Sequence, residues 1–129
     1  MATLRSHILI DRDPHAVWDV IRDVAAISRW FPAIIASSGD SARRTVTLQD
    51  GSVLDEEIVT LDDDLRRLQY RAVGGDLPVT EHLATVDVLG LDDARTLVVY
   101  STEIEPADLA AAFGPAIAEG LEGLRSTLV

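Results

Sequence analysis

The chain has 129 residues, a formal net charge of −11 and no cysteine, which suits a single domain with its own hydrophobic core. The missing cysteines exclude disulfides, thiolate metal sites and a cysteine nucleophile, and the negative charge argues against nucleic acid as a partner. No apolar run reaches the roughly 18 residues of a membrane span and the N-terminus lacks the apolar segment of a signal peptide, so we expect a cytoplasmic protein without membrane insertion.

The first third of the chain predicts one strand followed by two short helices. Residues 4–11 alternate as a strand does, and Asp13 is a good N-cap for a helix that begins at Pro14. Asp23 is a candidate cap for a second short helix. Pro32 ends the helical region, because proline has no backbone N–H and its ring clashes with a continuing helix.

The middle of the chain predicts an antiparallel meander. Strand-like runs follow one another, with turn signals such as Asp50-Gly51 and Gly74-Gly75 between them. Together with the first strand they predict a sheet of six to seven strands. The runs cover residues 43–48, 52–61, 65–73, 79–89 and 95–104.

The chain ends with one long amphipathic helix, predicted over residues 106–128. Its apolar residues recur at three- and four-residue steps, and Gly114-Pro115 predicts a kink within it. Small residues such as Ala116 and Gly120 would let the helix approach the sheet closely. The order of elements therefore predicts an α+β fold, in which a curved sheet wraps around the last helix and leaves a cavity between them.

Strand alternation assigns one face of each strand to the interior. For residues 52–61 the choice is between an inward Leu54-Glu56-Ile58 face and an inward Val53-Asp55-Glu57-Val59 face, and the first carries fewer charges. Trp30, Phe31 and Phe113 could line the cavity or serve only as packing residues. The residues that we expect to line the cavity are Trp30, Phe31, Leu54, Glu56, Ile58, Leu68, Tyr70, His82, Ala84, Val98, Tyr100, Phe113 and Ile117.

The whole chain resembles the polyketide cyclase/dehydrase and lipid-transport group of the START-like (birch-pollen-allergen-like, SRPBCC) superfamily. The resemblance implies a helix-grip fold, with a curved antiparallel sheet around the C-terminal helix and two short helices at one end. It also implies a hydrophobic ligand and, in some members, catalysis of aromatic ring closure or dehydration. It rests on residues 13–21 and 27–32, Asp50-Gly51, Glu56, Tyr70, residues 77–79 and 82–88, and Tyr100.

Glu56 and His82 are the candidate catalytic residues. Burial would raise the pKa of a carboxyl towards neutrality, and a histidine titrates there without help, so the two could move protons in a cyclase or dehydrase. The alternative is that they form a satisfied hydrogen-bond network with Tyr70 and Tyr100. Arg44 could either pair with Glu56 inside the cavity or lie solvated on its strand.

We therefore expect a binder of a small hydrophobic or amphipathic molecule, present as a monomer or homodimer. Two hypotheses remain beside it: a polyketide-type cyclase, aromatase or dehydrase, and a protein-interaction module with a filled interior. No cofactor is expected. No metal is expected either, because His7, His15 and His82 lack the spacing of a metal-binding motif.

Overall fold

The computed structural model describes residues 1–129 and contains seven strands in one antiparallel sheet. The strands are β1 (Ala2–Ile10), β2 (Ile34–Gly39), β3 (Arg43–Leu48), β4 (Val53–Asp62), β5 (Arg67–Gly75), β6 (Glu81–Gly90) and β7 (Thr96–Glu105). Their order across the sheet is β1-β7-β6-β5-β4-β3-β2, so the first strand pairs with the last and the rest form a meander. The predicted α+β helix-grip architecture is confirmed.

Strand β2 lies outside the strands that the sequence pattern predicts. It opens with two adjacent isoleucines and continues with small residues, so it shows no two-residue alternation. It forms one edge of the sheet, pairs with β3, and contains a register shift between Ile34 and Ala36. Pairing with the neighbouring strand, rather than local sequence preference, determines this element.

Two helical segments follow β1, as predicted. Helix α1 (Pro14–Arg22) begins where Oδ2 of Asp13 accepts a hydrogen bond from the Ala16 N–H at 3.1 Å, which confirms the predicted cap. The second segment, Val24–Arg29, is a 3₁₀ helix. The predicted cap at Asp23 is wrong, because its side chain makes no capping hydrogen bond.

The C-terminal helix α2 (Ala110–Leu128) follows one 3₁₀ turn at Ala107–Leu109 and continues through Pro115. No helix in the chain is long and apolar enough to cross a bilayer. The inward faces chosen from alternation are confirmed. On β4, for example, Leu54 and Glu56 are buried, whereas Asp55 and Val59 are exposed.

Two glycines of α2 bring the helix against the segment of residues 30–32. A Cβ atom at Gly120 would lie 2.6 Å from the Phe31 ring, and one at Gly123 would lie 2.1 Å from the Trp30 carbonyl oxygen. The close approach expected at Gly120 is therefore to this segment and not to the sheet. This contact fixes the position of Phe31 at the boundary between helix and sheet.

Candidate functional site

A pocket of about 360 Å³ lies between helix α2 and the sheet. Twelve of its 17 lining residues are hydrophobic, and a few polar side chains join them. The pocket occupies one end of the sheet, where β4 and β6 begin and β7 ends. This composition is typical of sites that bind apolar molecules and orient them with a small number of polar contacts.

Seven of the thirteen residues expected at the cavity wall line this pocket: Phe31, Leu54, Glu56, Tyr70, His82, Phe113 and Ile117. The other six lie in the packed interior: Trp30, Leu68, Ala84, Val98 and Tyr100, which are buried, and Ile58, which is partly buried. The pocket wall predicted from the sequence therefore extends further along the strands than the observed wall does. Alternation identifies the inward face of a strand, but it cannot say over what length neighbouring side chains fill the space above that face.

Sequence reasoning missed ten lining residues. The inward position of Thr102 follows from alternation on β7, and Ala112 and Ala116 share a face of α2 at a four-residue step. No comparable signal identifies the loop residues, because loops have no periodicity. The missed residues are Ala33, Ile34, Val46, Leu48, Gln49, Asp50, Leu77, Thr102, Ala112 and Ala116.

Glu56 forms a buried ion pair with Arg44, which faces it across the β3–β4 hairpin. Nε of Arg44 lies 2.8 Å from Oε1 of Glu56, and the two side chains are 1% and 7% exposed. Burial raises the pKa of the Glu56 carboxyl, and the charge of Arg44 opposes part of that rise. Of the two alternatives for Arg44, the structure supports pairing inside the domain.

The rest of the Arg44 guanidinium is also held in place. Nη1 donates to the Val24 carbonyl oxygen at 2.9 Å, and the group lies 4.4 Å from the centroid of the Tyr70 ring. Nη2 is buried and has no hydrogen-bond partner. Arg44 therefore ties the sheet to the second helical segment and leaves both N–H donors of Nη2 without a partner.

The hydroxyl groups of Tyr70 and Tyr100 are hydrogen-bonded to each other. Burial raises the pKa of Tyr100 to about 12 and raises that of Tyr70 well above its ordinary value. Both phenols therefore stay protonated at neutral pH. Tyr70 lines the pocket, while Tyr100 supports it from the core.

His82 is neutral and has a fixed tautomer. Nδ1 accepts a hydrogen bond from the Ala72 backbone N–H at 3.0 Å, so the ring proton is on Nε2. Burial, with a contribution from the charge of Arg44, lowers the pKa of His82 to about 4. The expectation that His82 titrates near neutrality is therefore wrong. At neutral pH this residue is an N–H donor and not a charged acid.

We expect His82 to make the protein less stable as the pH falls from 6.5 towards 4. Over this range the imidazole of His82 becomes protonated in the unfolded chain but stays largely neutral in the folded chain. The free energy of unfolding therefore falls by about 3 kcal/mol by pH 4. His82→Asn should lack this component, because asparagine does not titrate and its Oδ1 can still accept from Ala72. Urea unfolding from pH 7 to pH 4 measures the difference, and parallel pH profiles for the two proteins would contradict it.

The family assignment rests on a match of the whole chain, residues 1–129, to the family model described as polyketide cyclase/dehydrase and lipid transport. The chain belongs to this family. Among the curated proteins none matches its sequence significantly.

Solved structures place this polyketide cyclase/dehydrase and lipid-transport family protein among START-like folds. The XoxI protein of Bacillus cereus is 26% identical, with a TM-score of 0.90 over 99% of this chain and 96% of that one. A START superfamily protein of Mycobacterium smegmatis is 16% identical (TM-score 0.80, 98% and 99% covered). The Zhui aromatase/cyclase of Streptomyces sp. R1128 is 15% identical (TM-score 0.83, 98% and 93% covered). The last two likenesses establish the fold alone.

The polar groups in the pocket of this START-like protein come from four neighbouring strands and from the turn between β3 and β4. They are Glu56 on β4, Tyr70 on β5, His82 on β6 and Thr102 on β7, together with Gln49 and Asp50 in the turn. No three side chains of the types that bind metals converge anywhere in the chain. What the pocket offers a bound molecule is an apolar wall with two carboxyl groups, two hydroxyl groups, one side-chain amide and an imidazole N–H.

Proposed function

We propose that this protein binds a small hydrophobic or amphipathic molecule in the pocket between the sheet and α2. The observation that carries the proposal is the pocket itself, about 360 Å³ in volume with twelve hydrophobic residues among the 17 that line it. Ligand sites range from about 300 to 1,000 Å³, so the part of the ligand held here is small. Because Glu56 is paired with Arg44, it is the Asp50 carboxyl and the net charge of −11 that disfavour an anionic group in the pocket.

The hydrogen-bonding state of His82 supports a role in orienting this ligand. Its Nδ1 is occupied by Ala72, and its Nε2–H makes no hydrogen bond within the protein. A neutral donor of this kind suits a carbonyl, ether or hydroxyl oxygen on the ligand. The hypothesis of an interaction module with a filled interior has no support from this pocket.

Filling the pocket should weaken ligand binding without unfolding the protein. Ala116 is a half-buried pocket residue, so we expect Ala116→Phe to reduce the affinity for the neutral fluorescent probe N-phenyl-1-naphthylamine by about tenfold or more. Fluorescence titration measures the affinity, and circular dichroism checks the fold. Ala111→Phe is the matched control, because Ala111 is exposed on the same helix and does not line the pocket. Equal affinities for the two variants would count against the proposal.

A second candidate is a cyclase or dehydrase that uses Glu56, with His82 on the wall of the same pocket. The observation that favours it is that Glu56 lines the pocket while only Oε1 is hydrogen-bonded to Arg44, which leaves Oε2 available as a base. Because His82 is neutral, it would orient a carbonyl oxygen by donating a hydrogen bond.

A linear triketone such as heptane-2,4,6-trione distinguishes the two candidate functions, ligand binding and catalysis. Ring closure forms a carbon–carbon bond between the C1 methyl carbon and the C6 carbonyl carbon, as a proton leaves C1 and the C6 oxygen takes one up. Loss of that hydroxyl group as water, followed by enolisation, gives 3,5-dihydroxytoluene. Chromatography with mass spectrometry detects this product and separates it from 2,6-dimethyl-4-pyranone, the isomer that forms by carbon–oxygen closure. An enzyme should accelerate this reaction over buffer, and Glu56→Gln should lose the acceleration while it still binds N-phenyl-1-naphthylamine. A protein that only binds should leave the triketone unchanged.

A further inference from the structure

Strands β5 and β6 separate next to the pocket. Their paired region ends at Tyr70 and Ala84. Beyond that point β5 continues to Gly75 along β4, and β6 begins at Glu81 along β7. At this end of the sheet β5 therefore stays paired with β4, and β6 stays paired with β7, while a gap opens between β5 and β6.

A side chain spans this gap in place of the backbone ladder. If the pairing continued, Ala72 would lie opposite His82, and the two backbones would face each other. Instead the Ala72 N–H donates to Nδ1 of the His82 ring at 3.0 Å. The imidazole thus satisfies a backbone donor that the missing pairing would otherwise leave free.

A groove of about 470 Å³ lies on the outer side of the gap. It is lined by the outward-facing residues Arg71, Leu83 and Glu103, and also by the inward-facing residues Ala72 and His82. Because successive side chains of a strand point to opposite faces, a groove on the outside of an intact ladder would not meet both sets. His82 also lines the inner pocket, so this one residue separates the two spaces.

We propose that the gap between β5 and β6 is a second opening of the ligand pocket, with His82 as the side chain that closes it. An elongated amphipathic ligand then places its apolar part in the inner pocket and its polar end in the outer groove. The inference rests on the proposed function, because it requires a ligand in the inner pocket.

The charges around the groove define the polar end of this ligand. Glu81 and Glu103 line the groove together with a single arginine, Arg71. The N-terminal amine of Met1 also borders it and is paired with Glu105 at 3.2 Å. With more carboxylates than cations at this position and a net charge of −11, the groove favours a neutral or cationic end group and repels an anionic one.

Two probes with the same ten-carbon chain test this inference on the full-length protein. Decyltrimethylammonium should displace N-phenyl-1-naphthylamine at a concentration about tenfold lower than decyl sulfate does, with both probes kept below the concentrations at which they form micelles. In ¹H–¹⁵N NMR spectra the amide signals of Glu81, Leu83 and Glu103 should shift with decyltrimethylammonium. They should not shift with N-phenyl-1-naphthylamine, which fits within the inner pocket.

Variants that close the gap provide the decisive comparison. Ala72→Leu, or Ala72→Val if the leucine variant does not fold, should abolish the NMR shifts in the groove and reduce the affinity for decyltrimethylammonium about tenfold. N-phenyl-1-naphthylamine should still bind, because Ala72 lines the groove and not the inner pocket. Glu103→Gln should reduce the discrimination between the two probes, whereas Glu119→Gln on the exposed side of α2 should not.

The outcomes distinguish this inference from the proposed function. If N-phenyl-1-naphthylamine binds but decyltrimethylammonium shifts only inner-pocket residues, the second opening is overturned and the proposed function stands. If the Ala72 variant folds and leaves the groove shifts unchanged, the second opening is likewise overturned. If N-phenyl-1-naphthylamine does not bind to the wild-type protein, the proposed function fails and this inference fails with it.

Discussion

Replacing Gly123 with alanine should destabilise the protein by about 3 kcal/mol, although alanine is the better helix former. The added Cβ atom would lie 2.1 Å from the Trp30 carbonyl oxygen and 2.9 Å from Cδ of Pro32. Neither neighbour can rotate away, because one is backbone and the other is part of a ring. Helix α2 would have to move off this segment. Urea denaturation of the purified variant measures the loss.

Gly114→Ala is the matched control for this experiment. Its Cβ atom would meet nothing closer than Leu4 Cδ2 at 3.7 Å, which is an ordinary contact. Since it removes a glycine from the same helix, we expect it to be neutral or to stabilise the protein by up to about 1 kcal/mol. If Gly123→Ala were as stable as Gly114→Ala, the close packing of α2 on residues 30–32 would be wrong.

Replacing Arg44 with methionine should cost about 3–5 kcal/mol at neutral pH. The variant leaves the carboxylate of Glu56 buried without the cation that lies 2.8 Å away in the wild type. It also removes the hydrogen bond to the Val24 carbonyl oxygen. Equilibrium unfolding in urea at neutral pH is the measurement.

The pH dependence of Arg44→Met identifies the cause of its instability. Burial already raises the pKa of Glu56, and removing the guanidinium takes away the charge that opposes this rise. The folded variant therefore holds its proton at a higher pH than the unfolded chain does, so its stability deficit should shrink as the pH falls. A deficit that is the same at pH 7 and pH 5 would contradict this explanation.

A double variant supplies the control. Arg44→Met combined with Glu56→Leu removes both charges and replaces them with apolar side chains of similar size. Such replacements of buried ion pairs are often neutral or stabilising, so most of the lost stability should return. If the double variant is no more stable than Arg44→Met alone, the uncompensated charge of Glu56 is not what destabilises the single variant.

Local sequence signals predict most of this fold, because the elements that position the core carry strong ones. Asp13 and Pro14 mark the start of α1, and two-residue alternation identifies the inward faces of β4 to β7. Strand β2 has no such signal, since it is an edge strand whose conformation depends on its pairing with β3. Asp23 shows the opposite error, in which a residue typical of helix caps makes no capping contact.

The candidate site is less predictable, because its properties depend on distances between elements. The hairpin centred on Asp50-Gly51 is consistent with Arg44 facing Glu56, and the two residues were candidates for a pair. The pKa of His82 could not be inferred in the same way. It is lowered by burial and by the charge of Arg44, which comes from a strand three positions away in the sheet. The extent of the pocket could not be inferred from the sequence either, because the pocket ends where core side chains such as Val98 fill the space.

The space between the sheet and α2 should be open and should take up a small apolar molecule. A crystal structure of the protein grown with N-phenyl-1-naphthylamine tests this most directly. We expect electron density for the probe among Leu54, Phe113 and Ile117, with Arg44 and Glu56 still paired beside it. A structure in which side chains fill this space, with the probe absent or bound only to the outer surface, would show that the pocket is not a ligand site.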